Sequence, residues 1–112
     1  MEVTVELRGP VAVVAVTGSI DALTSPRLME AFSEQVQAGH VNLVADFTGV
    51  DYTSSAGLRA LLASLKDCRR EGGDFRLAGV RDEVERVLDL AGFTSIIKHY
   101  PEVDQAVASF GS

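Results

Sequence analysis

Six consecutive apolar residues, Val11-Ala12-Val13-Val14-Ala15-Val16, constrain this chain more than any other feature. Side chains alternate between the two faces of a strand, so a stretch that is apolar at every position needs cover on both faces. Its valines favour a strand, and the run is far shorter than the roughly 20 residues needed to cross a bilayer. Before it, Val3 and Val5 alternate with Thr4 and Glu6, and Gly9-Pro10 supplies a turn. The pattern predicts an amphipathic edge strand turning back antiparallel into a buried strand that Gly18 closes.

Downstream, the period changes repeatedly between strand and helix. Thr24-Ser25-Pro26 predicts a helix start, with Ser25 as N-cap and Pro26 at the first helical position. Leu28, Phe32 and Val36 form its apolar stripe, and Gly39 stops it. Val41 to Phe47 is expected to be a central strand followed by a loop from Thr48 to Tyr52. From Gly57, the residues Leu58, Leu61, Leu62 and Leu65 recur at helical spacing, with Cys68 on the same face and Gly72-Gly73 as terminator. Phe75 to Val80 is expected to form a strand, and Val84, Val87, Leu88 and Ala91 mark a helix ending at Gly92. Ile96-Ile97 is expected to open a short strand and Val103 to Phe110 a last helix. This alternation favours an α/β fold, a mixed β-sheet with helices packed against it. With no internal repeat or linker, residues 1–112 are expected to form one unit.

Composition narrows the function. The 16 acidic and 10 basic residues give a net charge of −6, which opposes nucleic-acid binding. One cysteine, Cys68, and two histidines, His40 and His99, supply neither a disulfide nor a metal-ligand motif. No phosphate-binding glycine loop is present, and neither histidine is near a G-x-S-x-G elbow. Absence of a basic, apolar export signal after Met1 leads to an expected cytoplasmic location. No catalytic residue, metal or cofactor is expected.

Chemistry concentrates in Asp51-Tyr52-Thr53-Ser54-Ser55-Ala56-Gly57-Leu58, which sets three hydroxyls ahead of the strongest helix. Unpaired N–H groups at a helix N-terminus accommodate a phosphoryl group on Ser54 or Ser55, and a serine there also serves simply as a cap. In the same reading Asp21, Asp46 and Asp51 stand at strand ends where three acids line one surface. Hard oxygen ligands suit Mg2+, and a nucleotide-dependent enzyme is the class that would use it, but solvated or capping roles are commoner for such carboxylates.

Taken in order and spacing, Val16-Thr17-Gly18-Ser19-Ile20-Asp21, Val44-Ala45-Asp46-Phe47-Thr48-Gly49-Val50, Ser54-Ser55-Ala56-Gly57-Leu58-Arg59 and Leu90-Ala91-Gly92-Phe93 resemble a STAS domain. The chain is similar, over nearly its whole length, to stand-alone bacterial anti-sigma factor antagonists. That resemblance implies a mixed sheet with four to five helices and a regulator without catalysis. It implies an unphosphorylated form that binds an anti-sigma factor serine kinase and releases a sigma factor; from the charge and the short apolar run, neither nucleic acid nor membrane is expected as a partner. Phosphorylation at Ser55, with Ser54 as the alternative acceptor, then switches binding off, and a serine phosphatase restores it. The partner-binding residues by the same resemblance are Asp21, Ser54, Ser55, Ala56, Gly57 and Arg59. A second function carried by such domains is that of a scaffold or accessory subunit of a stressosome or a lipid or anion transport complex.

Overall fold

A computed structural model describes residues 1–111. The buried run becomes the middle of β2 (Val11–Ile20), and the alternating segment before it becomes β1 (Glu2–Arg8), antiparallel to β2. The chain then alternates through α1 (Ser25–Gln37), β3 (Asn42–Thr53), α2 (Ser55–Arg70), β4 (Asp74–Ala78), α3 (Asp82–Leu90), a 3-10 turn (Phe93–Ser95), β5 (His99–Tyr100) and α4 (Val103–Ala108). One sheet carries the strands in the order β1-β2-β3-β4-β5, with β2 to β5 parallel and β1 opposed.

Helices cover both faces, as the run at Val11 to Val16 demands. Ala12, Val14 and Val16 enter the larger core with Leu28 and Phe32 of α1, Leu61 and Leu65 of α2, and Val84 and Leu88 of α3. Phe32 meets Phe75 of β4 edge-on at 5.0 Å between ring centroids. Val11 and Val13 point the other way, against Ala106 of α4. Arg76 ties that last helix down, its guanidinium 4.0 Å over the Phe110 ring and donating to the Ser109 hydroxyl at 2.6 Å.

Several sequence expectations fail in instructive ways. Gly18 does not end β2, and residues 48–52 are not a loop, because both strands continue to Ile20 and Thr53. Two register shifts, between Ala15/Thr17 and Gly18/Ser19, let β3 carry extra residues while the pairing resumes at Ser19↔Tyr52 and Ile20↔Thr53. Ser25 is not the N-cap of α1: Thr24 takes that position and Ser25 is buried as the first helical residue. Ile96-Ile97 is not a strand; it follows the 3-10 turn, with the Ile97 side chain buried, and the strand falls on His99–Tyr100.

Candidate functional site

The prolonged β2 and β3 bring two loops together. The Ser54 N–H donates to the Ile20 carbonyl at 2.8 Å, fastening the start of α2 to the end of β2. Ser54 has extended backbone, and its Oγ accepts the Gly57 N–H at 3.4 Å, so it is the N-cap. Ser55 is the first residue of α2 and is exposed, Ala56 is half-buried, and Arg59 is exposed on the next turn. Gly57 is buried; a Cβ there would meet the Thr53 Oγ1 at 2.2 Å and the Ile20 Cγ2 at 2.8 Å. Of the six partner-binding candidates, Gly57 therefore makes room inside the fold, and five reach the surface wholly or in part.

Asp21 organises the neighbouring loop. Its Oδ1 accepts the N–H groups of Leu23 at 2.9 Å and Thr24 at 3.0 Å, while the Asp21 N–H donates to the Thr24 Oγ1 at 2.9 Å. The N–H groups of Thr24 and Leu23 hold the Asp21 carboxyl below the ordinary carboxylate value. This reciprocal pairing orders the turn that leads into α1.

The three acids do not line one surface. Asp46 lies in the first half of β3, roughly 20 Å from its Thr53 end at the usual rise of about 3.3 Å per residue. Its Oδ1 accepts from the Thr48 N–H at 3.0 Å and the Thr48 hydroxyl at 2.6 Å. Asp51 accepts from the Ser19 hydroxyl at 2.8 Å across the β2/β3 pairing. Among the described residues no group of three His, Cys, Asp or Glu side chains is arranged to hold a metal ion.

Two residues that the sequence reading passed over are exposed on the segments that the Ser54–Ile20 bond joins. Leu23, in the Asp21 loop, is 90% exposed, and Tyr52, at the end of β3, is 53% exposed. Apolar side chains left in water beside a polar helix start have the composition of a docking surface. The available signal was a leucine in the short connection Asp21-Ala22-Leu23-Thr24 and a tyrosine in a segment whose turn-like residues hid a strand.

The STAS domain family model matches residues 2–106. The chain belongs to the STAS domain family. An anti-sigma-B factor antagonist of Listeria monocytogenes is 36% identical over 84 residues, covering 74% of this chain and 73% of that protein. The crystal structure of an anti-sigma factor antagonist from Mycobacterium paratuberculosis superposes with a TM-score of 0.90 at 30% identity, over 99% of this chain and 94% of that one. SpoIIAA of Bacillus in its phosphorylated form shares the fold, with a TM-score of 0.75 at 14% identity over 96% of this chain and 98% of that one. The mixed sheet with four helices is the STAS architecture, in agreement with the expected fold class. Among the described residues no helix is long and apolar enough to cross a membrane.

Proposed function

We propose that this STAS domain is a cytoplasmic anti-sigma factor antagonist, a non-catalytic regulator working by partner switching. Its unphosphorylated form docks an anti-sigma factor serine kinase through Asp21, Ser54, Ser55, Ala56 and Arg59, with Leu23 and Tyr52 as apolar contacts, and so frees a sigma factor. The kinase then moves the γ-phosphoryl group of ATP onto the Ser55 Oγ, whose proton leaves to a base of the kinase, and ADP departs. A serine phosphatase returns the binding form.

The observation that carries this reading is the division of labour between the adjacent serines. Ser54 spends its oxygen on the Gly57 N–H, whereas Ser55 is exposed on the first turn. A phosphoryl group at that helix terminus is tolerated by the fold, since the N-terminal end of a helix favours negative charge. It is not tolerated by the interface: about −1.5 to −2 charges arrive on a surface that a partner must desolvate. A cost of ~1.4 kcal/mol already weakens binding tenfold. The names borne by the Listeria and Mycobacterium relatives support the same assignment.

The test offers Ser55→Ala and Ser55→Glu variants side by side to a lysate of the source organism and identifies captured proteins by mass spectrometry. Capture of an ATP-dependent serine kinase by the alanine variant alone is expected, with phosphate mapped to Ser55 in the wild type. Equal capture of a transporter or scaffold by both variants would overturn the reading in favour of a structural accessory.

A further inference from the structure

The two edges of the sheet are treated differently. At one end, β5 has two residues and runs into Pro101, which leaves little backbone for another chain to pair with. At the other, β1 is seven residues long, contains no proline, and pairs with β2 in unbroken register. Its outer N–H and C=O groups thus form a straight row at the sheet edge.

The side chains on β1 divide by face. Val3, Val5 and Leu7 stand opposite Val16, Val14 and Ala12, on the face covered by α1 to α3. Cover is incomplete there, for Val5 is 43% and Leu7 57% exposed. Glu2, Thr4, Glu6 and Arg8 lie on the α4 face, where the Arg8 guanidinium donates to Asp104 at 2.8 Å. That bond uses one of the five N–H donors of an arginine.

We propose that β1 pairs antiparallel with β1 of a second copy of this chain, centred on Val5, to give a continuous ten-stranded sheet. Directly opposed residues of an antiparallel pair share a face, so only registers centred on a residue set apolar against apolar. Centring on Thr4 opposes Glu2 to Glu6, and centring on Glu6 opposes that glutamate to itself; like charges across a pair are destabilising. Centring on Val5 opposes Glu2 to Arg8 twice, Thr4 to Glu6 twice, Val3 to Leu7 twice, and Val5 to itself. It is the register that pairs all seven residues of β1 with no like charges opposed.

A groove of about 210 Å³ beside the edge fits this occupant. Val3, Val5 and Ala31 form its apolar part, and Arg27, Glu30 and Glu34 of α1 its charged rim. In the paired form the second copy brings Leu7 opposite Val3 and covers the apolar part. The interface is two-fold and closed, so pairing stops at the dimer. It does not depend on the regulatory reading of Ser55.

Sedimentation velocity on the full chain over a concentration series tests it. The wild type is expected to move toward twice the chain mass, and Val5→Lys, an exposed site whose change leaves the fold intact by far-UV circular dichroism, to weaken dimerisation at least tenfold. Glu2→Arg weakens it by setting like charges across, and adding Arg8→Glu to that variant restores it. A wild type that stays monomeric throughout, or a dimer unchanged by Val5→Lys, overturns the proposal. Failure of the folded charge swap to improve on Glu2→Arg overturns it as well.

Discussion

Gly57 lies so close against Thr53 that a Cβ on the glycine would stand 2.2 Å from the threonine hydroxyl oxygen. The contact seats the first turn of α2 on the ends of β2 and β3, because Ile20 closes on the same point from the other side at 2.8 Å. In an open helix, replacing glycine by alanine stabilises by roughly 0.5–1 kcal/mol. Here the added methyl must displace packed groups, which costs about 1–3 kcal/mol. Gly57→Ala is therefore expected to lower stability in urea denaturation and to weaken partner capture by shifting Ser55. A stabilised variant would mean that the helix start is not held by this contact.

The adjacent serines separate by the same kind of measurement. Ser54→Ala removes the oxygen that accepts from Gly57, and loss of an N-cap costs roughly 0.5–2 kcal/mol. The 3.4 Å length of that bond points to the lower end of the range. Ser55→Ala removes an exposed hydroxyl and should change stability by less than about 0.5 kcal/mol. If the alanine at 55 proved the costlier, the cap and the proposed acceptor would have to exchange roles.

Local pattern carried most of the fold, and the exceptions are set by partners distant in sequence. The leucines from Leu58 to Leu65 mark α2 by spacing alone, and Val3 to Val16 mark the antiparallel opening pair. Thr48-Gly49-Val50-Asp51-Tyr52 has the composition of a turn, yet it is held extended by β2, including Ser19 on Asp51. No local signal reports a register shift that depends on the opposing strand. The start of α1 was hidden for a similar reason: a serine before a proline looks like the cap, but Asp21 holds Leu23 and Thr24 in a turn that puts Thr24 at the N-cap position and Ser25 inside the helix. At the site, the order of serines and glycine was legible, while the exposure of Leu23 and Tyr52 depends on where the strands end.

Acid should expose two carboxylates. The N–H groups of Thr24 and Leu23 depress Asp21. Burial pushes Asp74 up, but its bonds from the Arg76 side chain, the Phe75 N–H and the Arg69 side chain outweigh this and leave it below the ordinary value. A group depressed in the folded state contributes stability that is present above the unfolded pKa, ~3.9 for aspartate, and is lost as pH falls through the folded value. Stability is therefore expected to decline below about pH 4, and less steeply in Asp21→Asn and Asp74→Asn. Urea midpoints at neutral and acid pH check this. An identical acid loss in the variants and the wild type would remove both residues from the account.

Cys68 has the opposite linkage. Its side chain is fully buried on α2, and burial first, then the negative charges of Asp74 and Asp67, pushes its thiol up to about 12. Unfolded, the same thiol ionises near ~8.5. Between those values the unfolded chain loses a proton that the folded chain keeps, so stability falls as pH rises through this window. The same burial should suppress alkylation: at pH 8 an iodoacetamide label is expected to enter the folded protein much more slowly than the urea-unfolded chain, since the thiolate is the nucleophile and the side chain is shielded. Cys68→Ala should flatten the alkaline decline while costing some packing. Fast labelling of the native protein would show that the α2 face against the sheet opens far more often than its packing allows.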